Sequence, residues 1–323
     1  MRPMRGRSGR ATYIGLHLSI MQMGKQDDLR ATELEYARDL AAFISASPSS
    51  YHAACEVARR LETAGYLEQD EGQPWNAQPG GHYFVRDGAV MAWWVPRGAS
   101  SSNAFRIVGS HTDSPGFKVK PTPGVEHHGF SQVNVETYGG LLRNSWLNRE
   151  LGLAGRLVTI DGEEHLVRTD ALMVIPQLAP HLDRSVSEKL TLNPQKHLHP
   201  IWGLGEGDVF EVLAEAAGVA ADEIAGMDVF AYDCQSPEIV SGTFLAAGRQ
   251  DNLVSVHASL RALLEAKSTE IAVLAAFDHE EVGSSTATGA CGPILETVLR
   301  RTALALGASQ DEFFQMMSRS SCV

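Results

Sequence analysis

The chain has 323 residues, a formal net charge of −12, 44% hydrophobic and 20% charged residues, the balance of a globular protein long enough for one large or two ordinary domains. The acidic balance argues against a nucleic-acid backbone as partner, and no apolar run approaches the roughly 18 residues of a membrane helix. Four cysteines (Cys55, Cys234, Cys291, Cys322) are scattered with no CxxC pair, which suits a reducing cytoplasm and leaves any metal to histidines and carboxylates.

Residues 1–26 carry Arg2, Arg5, Arg7, Arg10 and Lys25 before the first acid, Asp27. They are expected to form a disordered basic arm, either an organelle presequence or a start read too early, with Met21 and Met23 as later starts. From Thr32 to Ser45, Leu34, Ala37, Leu40, Phe43 and Ile44 recur at helical spacing. A second helix follows Ser49-Ser50, with Ala54, Val57, Ala58 and Leu61 on one face and Gly65 as its stop. Tyr83 to Val95 reads as a hairpin turning at Asp87-Gly88, with Trp93 and Trp94 as packing residues. Phe105 to Gly109 is a short strand that delivers Ser110-His111-Thr112-Asp113-Ser114-Pro115-Gly116. A His and an Asp just past a strand end lie where open α/β sheets bind ligands. That placement suits an imidazole on a metal whose other N–H is accepted by Asp113, although a plain polar turn reads the same way.

The texture then becomes β-rich. Ser131 to Tyr138 alternates, Leu153 to Val167 is a hairpin turning at Asp161-Gly162, and Ala171 to Ile175 reads as another strand. His181, His197 and His199 stand in irregular sequence; a helix over Gly207–Gly218 and a strand over Asp228–Tyr232 follow. Residues 121–241 are therefore read as a module inserted into an α/β domain formed by 27–120 and 242–323.

The α/β pattern resumes at Gly248-Arg249-Gln250-Asp251-Asn252, where Asp251 is expected to cap a helix with Leu253, Val256, Leu260, Leu263 and Leu264 on one face. Ile271 to Phe277 reads as a buried strand, and Asp278-His279-Glu280-Glu281 follows it. On extended backbone adjacent side chains point to opposite sides, so one glutamate can face a metal and the other the substrate. A zinc hydrolase needs that division between ligand and general base, whereas an acidic pair alone is most often a solvated loop. Helices from Pro293 to about Leu306 and over Asp311–Met317 precede a strand beginning at Ser321-Cys322-Val323. His111, Asp251, Glu280 and Glu281 all fall at strand-to-helix junctions, which a doubly wound sheet gathers at one edge. One His, an Asp able to bridge two ions and a Glu are hard ligands suited to a two-zinc hydrolytic site.

Six blocks recur in the order of a known family: Gly109-Ser110-His111-Thr112-Asp113-Ser114-Pro115; Tyr138-Gly139-Gly140 through Trp146 and Leu151–Arg156; Ile175–Leu182; Asn193–Leu198; Asp251-Asn252-Leu253; and Asp278–Ser284. From about Leu34 onward the sequence resembles the aspartyl aminopeptidase family of zinc metallopeptidases. The resemblance implies a doubly wound mixed-sheet α/β peptidase domain interrupted by a smaller β-rich dimerisation domain, in a homo-oligomer built from dimers. It implies two zinc ions per subunit and removal of acidic N-terminal residues from peptides; the N/O ligands themselves would also accept cobalt or manganese. His111 would ligate one zinc, Asp251 bridge both and Glu281 ligate the other. Glu280 would be general base, Asp113 would orient His111, and His181 would contact substrate or help polarise the scissile carbonyl across a subunit interface. Two departures stand out. Asn148 occupies a place where the family more often has aspartate. The family also carries a further aspartate ligand and a final histidine ligand beyond the point where this sequence stops, so a truncated, weakly active or inactive form is expected. The rival readings are a non-catalytic assembly subunit of a homologous oligomer and a two-zinc aminopeptidase of different specificity. A serine hydrolase on Ser110 or Ser284 lacks the Gly-x-Ser-x-Gly elbow.

Overall fold

Residues 31–266 and 268–323 are described by the computed structural model; the basic arm at 1–26 lies outside them. Helix α1 (31–46) is followed by α2 (Ser50–Thr63), whose N-cap Ser49 accepts from His52 N. Strands β1 (Leu67–Glu68), β2 (Gly80–Arg86), β3 (Ala89–Val95) and β4 (Phe105–His111) come next. The expected β2–β3 hairpin turns at Asp87-Gly88, and Asp87 takes a φ of +52°, as the favoured two-residue hairpin turns require.

The middle of the chain builds a second sheet from β5 (Gly116–His127), β6 (Phe130–Tyr138), β7 (Leu151–Thr159), β8 (Glu164–Arg168), β9 (Ile201–Leu204) and β10 (Ile224–Asp233), with helices α3 (Pro194–His197) and α4 (Val209–Ala217). Its order is β8-β7-β10-β5-β6-β9, antiparallel throughout. The strand expected at Ala171–Ile175 is instead a set of isolated bridges. Met173, Val174 and Ile175 pair with Leu151, Ile201 and Leu147 in turn, so no continuous ladder forms. Asn148 has a φ of +58°, which Asn tolerates well, and its Oδ1 accepts from Gln177 N at 3.0 Å.

A small hairpin, β11 (Glu238–Val240) and β12 (Phe244–Ala246), leads to α5 (Gln250–Glu265), β13 (Ile271–Phe277), α6 (Ile294–Ala305), α7 (Gln310–Arg319) and β14 (Ser321–Cys322). The first sheet is mixed, in the order β1-β2-β3-β13-β4-β14. β13 runs antiparallel to β3 and parallel to β4. Its apolar run is explained by burial on both faces. Val273, Ala275 and Phe277 pack with α6 and α7 residues such as Val298 and Phe313. Leu274 and Ala276 pack with Phe43, Val57 and Leu260 from α1, α2 and α5. The α/β class and the mixed, doubly covered sheet are therefore as the sequence implied.

The second sheet has its own core, in which Phe117, Val133, Leu153 and Val229 meet Leu213 of α4. Polar contacts join the two sheets. Tyr51 OH of α2 donates to Asp228 at 2.8 Å, where Lys118 of the same second sheet also pairs, and Arg156 reaches Asp87 at 2.6 Å. Among the described residues no helix is long and apolar enough to cross a membrane.

Candidate metal centre

Parallel pairing sets His111, the last residue of β4, opposite Phe277, the last of β13. The outgoing ends of both strands thus deliver their side chains to one sheet edge. Thr112 fastens them: its N donates to Phe277 O at 2.8 Å, and its Oγ1 contacts Gly88 O at 2.6 Å and Phe277 O at 3.0 Å.

His111 Nδ1 lies 3.0 Å from the Asp113 carbonyl and 3.2 Å from Asp113 Oδ1. Its Nε2 faces Asp251 Oδ1 at 3.3 Å and Glu280 Oε2 at 3.8 Å. Asp113, only 4% exposed, also accepts from Tyr138 OH at 2.9 Å and from the backbone N–H groups of Glu280 at 3.2 Å and Glu281 at 3.1 Å. One carboxylate therefore orients the imidazole and anchors the turn that bears both glutamates. Burial pushes the Asp113 pKa up, but the bonds from His111, the Glu281 N–H and Tyr138 outweigh it and hold the carboxyl below its usual range. Burial likewise works against a charged His111. The Asp113 hydrogen bond and the charges of Asp113, Glu280 and Asp251 reverse that effect and raise its pKa. Burial raises the Glu281 carboxyl, opposed by a hydrogen bond from the Gly140 backbone and reinforced by the charges of Asp251 and Asp113.

The glutamate pair does not sit on extended backbone. Glu280–Val282 is a 3-10 turn entered through His279 at φ +64° and left through Gly283 at φ +97°. The pair therefore curls toward one place instead of pointing to opposite sides. Ligand atoms of His111, Glu280 and Glu281 all lie within 4.8 Å of one another. The fit around Glu281 is close: a Cβ on Gly139, whose φ is +70°, would stand 2.3 Å from Glu281 Oε2.

Asp251 is not the helix cap that its position suggested. Arg249 occupies the N-cap position of α5, and no side chain caps the helix. Asp251 and Asn252 have non-helical backbone joined by a cis peptide. Ser114 Oγ donates to Asp251 O at 2.7 Å, and the Asp251 side chain is free to face His111. His181 is exposed in the turn after Pro180 and belongs neither to this cluster nor to the wall of the cavity beside it.

Two halves of the site differ in exposure. The His111 and Asp113 side chains are 12% and 4% exposed, while those of Glu280 and Asp251 are 54% and 69% exposed. The donors fit zinc. Ligands about 2.0–2.2 Å from one tetrahedral ion lie roughly 3.3–3.6 Å apart, close to the 3.3 Å between His111 Nε2 and Asp251 Oδ1. The Asp113–His111 pair supplies the carboxylate behind the imidazole that metal-bound histidines usually have. Tyr138, Gly139, Thr112 and Ser114 were not singled out for roles from the sequence. Tyr138 and Gly139 stood in a family block, but their function rests on partners distant in the chain. A cavity of about 670 Å³ adjoins the cluster through Asp113, Ser114 and Asp251.

Residues 43–323 match the aminopeptidase I zinc metalloprotease (M18) family. The chain is 47% identical over 298 residues to a probable M18 family aminopeptidase 2 of Streptomyces coelicolor, an alignment covering 88% of this chain and 69% of that protein. It is similar in structure to a chain of the Ape4 and Nbr1 complex, with a TM-score of 0.84, 27% identity and coverage of 91% of this chain and 63% of that one. It is also similar to the mApe1 dodecamer of S. cerevisiae, with a TM-score of 0.72, 25% identity and coverage of 85% and 67%. A match along so much of the sequence shows that the chain belongs to the aminopeptidase I zinc metalloprotease (M18) family, a family of hydrolases.

Proposed function

We propose that the chain is a zinc-dependent aminopeptidase subunit that removes acidic N-terminal residues from peptides. The observation that carries the reading is the convergence of His111, Asp251, Glu280 and Glu281 at one sheet edge, with Asp113 behind the imidazole. His111, Asp251 and Glu281 would hold zinc at two positions, Asp251 between them. Zinc bound there supplies Lewis-acid polarisation of the scissile carbonyl and of water. Glu280, the more exposed glutamate beside His111, is the general base: it takes a proton from the attacking water and returns it to the leaving amine. Asp113 and Tyr138 keep the imidazole in one tautomer and one orientation. Cobalt and manganese accept the same N/O donors. His181 approaches substrate from a neighbouring subunit in this reading, with the second sheet as the dimer-forming part.

A second reading has an observation of its own. Among the described residues four side chains converge, fewer than two four-coordinate ions take from protein in closed sites. A non-catalytic subunit in an oligomer of relatives would keep this fold and dispense with turnover. The test is turnover of Asp-, Glu-, Leu- and Lys-initiated peptides by zinc-loaded protein, with and without a chelator. Chelator-sensitive release of the first residue, fastest for Asp and Glu, is the expected result. Zinc-loaded protein that releases no residue from any of them would overturn the catalytic reading in favour of the assembly subunit.

A further inference from the structure

The cavity beside the metal centre has a charge distribution that the metal chemistry does not use. At one end its wall is Asp113, Ser114 and Asp251; elsewhere it includes Trp146, Arg149, Asp233 and Arg249. Arg149 Nη1 donates to Asp233 Oδ2 at 2.6 Å and to Gln235 Oε1 at 3.0 Å, its Nε donates to Ser145 O, and its side chain is 40% exposed. Arg249 has no carboxylate within ion-pair distance among the described residues. Its three nitrogens instead donate to the backbone carbonyls of Ser47, Asp233 and Ile44. Two guanidiniums and one carboxylate, which pairs with Arg149 alone, thus stand on this wall, in a chain whose formal net charge is −12. Positive charge is in surplus at this wall, and the carboxylates of Asp113 and Asp251 lie toward the metal.

We propose that this cavity receives the part of a short peptide beyond the scissile bond, and that Arg149 binds the peptide's C-terminal carboxylate, making it a specificity-determining residue. The inference rests on the aminopeptidase reading for the direction in which the peptide lies. About 670 Å³ is within the roughly 300–1,000 Å³ of sites that enclose small organic ligands, and it exceeds what one acidic side chain next to the metal would fill. Arg149 lines the cavity, and among the described residues its second terminal nitrogen has no hydrogen-bond acceptor. A guanidinium already held flat by Asp233 and Gln235 loses little freedom on meeting a carboxylate. Arg249, engaged on all three nitrogens, adds charge without adding a donor. Trp146 gives an apolar wall, packed 3.5 Å from the Cβ position of Gly116. Asp233 competes with the ligand for Arg149 and sets how tightly it is held.

The test compares two tripeptide analogues whose first peptide bond is a reduced CH2–NH link, one with a free C-terminal carboxylate and one amidated. Their dissociation constants are measured by calorimetry on the zinc-loaded chain. The free acid is expected to bind about tenfold tighter, the size of one charge-assisted contact. Arg149→Gln should bring that ratio close to one. Asp233→Asn should widen it, an opposite change that general damage to the fold does not mimic. Equal affinity of acid and amide for the unaltered chain overturns the proposal. So does a preference that follows an acidic first residue and ignores amidation. Binding that discriminates the carboxylate while peptides go uncleaved refutes the aminopeptidase reading and leaves the carboxylate subsite standing.

Discussion

The two sheets divide the work of this molecule between them. The first hides apolar side chains on both faces, with α6 and α7 on one side and α1, α2 and α5 on the other. The second has one apolar face, built around Phe117, Leu153 and Val229, and turns Lys118, Arg156 and Asp228 toward the first sheet. The first sheet supplies His111, Glu280 and Glu281, at the ends of two parallel strands that its own core holds side by side, while Asp251 comes from the start of α5. The second supplies what holds them still: Tyr138 on Asp113 and the Gly139 turn against Glu281. The candidate metal centre lies at this joint, braced from one side and open to a charged cavity on the other.

The largest effect belongs to the first sheet. Trp93, 1% exposed in β3 and stacked on Trp75 and His82, should cost about 3–5 kcal/mol of unfolding free energy as Trp93→Ala; a denaturant titration showing less than 1 kcal/mol would break the picture of a doubly covered core. Tyr138→Phe removes a donor to a buried charge across the joint, which costs about 1.5–3 kcal/mol. Unchanged stability would show that the second sheet does not brace Asp113. Gly139→Ala forces an L side chain into φ +70° and against Glu281, at about 1–3 kcal/mol in stability. Its sharper readout is weaker zinc binding, because Glu281 must move; undiminished zinc affinity would contradict the close fit.

These residues also mark how far the sequence alone reaches. The β2–β3 hairpin, the β13 run and the α6 start at Pro293 are legible because each depends on neighbours a few residues away: a turn pair, an apolar run, a proline. His111 with Asp113, and Glu280 with Glu281, are legible as chemistry for the same reason. The backbone beneath Glu280 is not. Its 3-10 turn depends on Asp113, which receives the Glu280 and Glu281 N–H groups from 167 and 168 residues away. Asp251 misleads because favoured capping residues and metal ligands are drawn from the same short list, and only the non-helical backbone at 251–252 separates them. Ala171–Ile175 has the composition of a strand, yet its bridge partners are spread over three segments.

Smaller effects probe the joint itself. Burial raises the Asp228 pKa, but the hydrogen bonds from Lys118 and Tyr51 and the charges of Lys118 and Arg156 outweigh it and lower the value below 3.8. A folded-state pKa below the unfolded one gives stability that is present above pH 3.8 and lost as pH falls through the lowered value. Asp228→Asn should therefore flatten that acidic limb of the stability curve, measured by thermal unfolding between pH 5 and 2. An unchanged slope would remove Asp228 from the joint. At the far end of the second sheet, Ile160 is 73% exposed in the β7–β8 turn, and Ile160→Ser should stay within about 0.5 kcal/mol of the parent chain.

In the proposed site Glu280 moves protons while Glu281 holds metal, although both converge on His111. The most direct measurement pairs bound-zinc content with turnover of an Asp-initiated peptide for Glu280→Gln and Glu281→Gln. Glu280→Gln is expected to keep its zinc and lose at least about 100-fold in kcat, whereas Glu281→Gln loses zinc and turnover together. Full turnover by zinc-loaded Glu280→Gln would contradict that assignment.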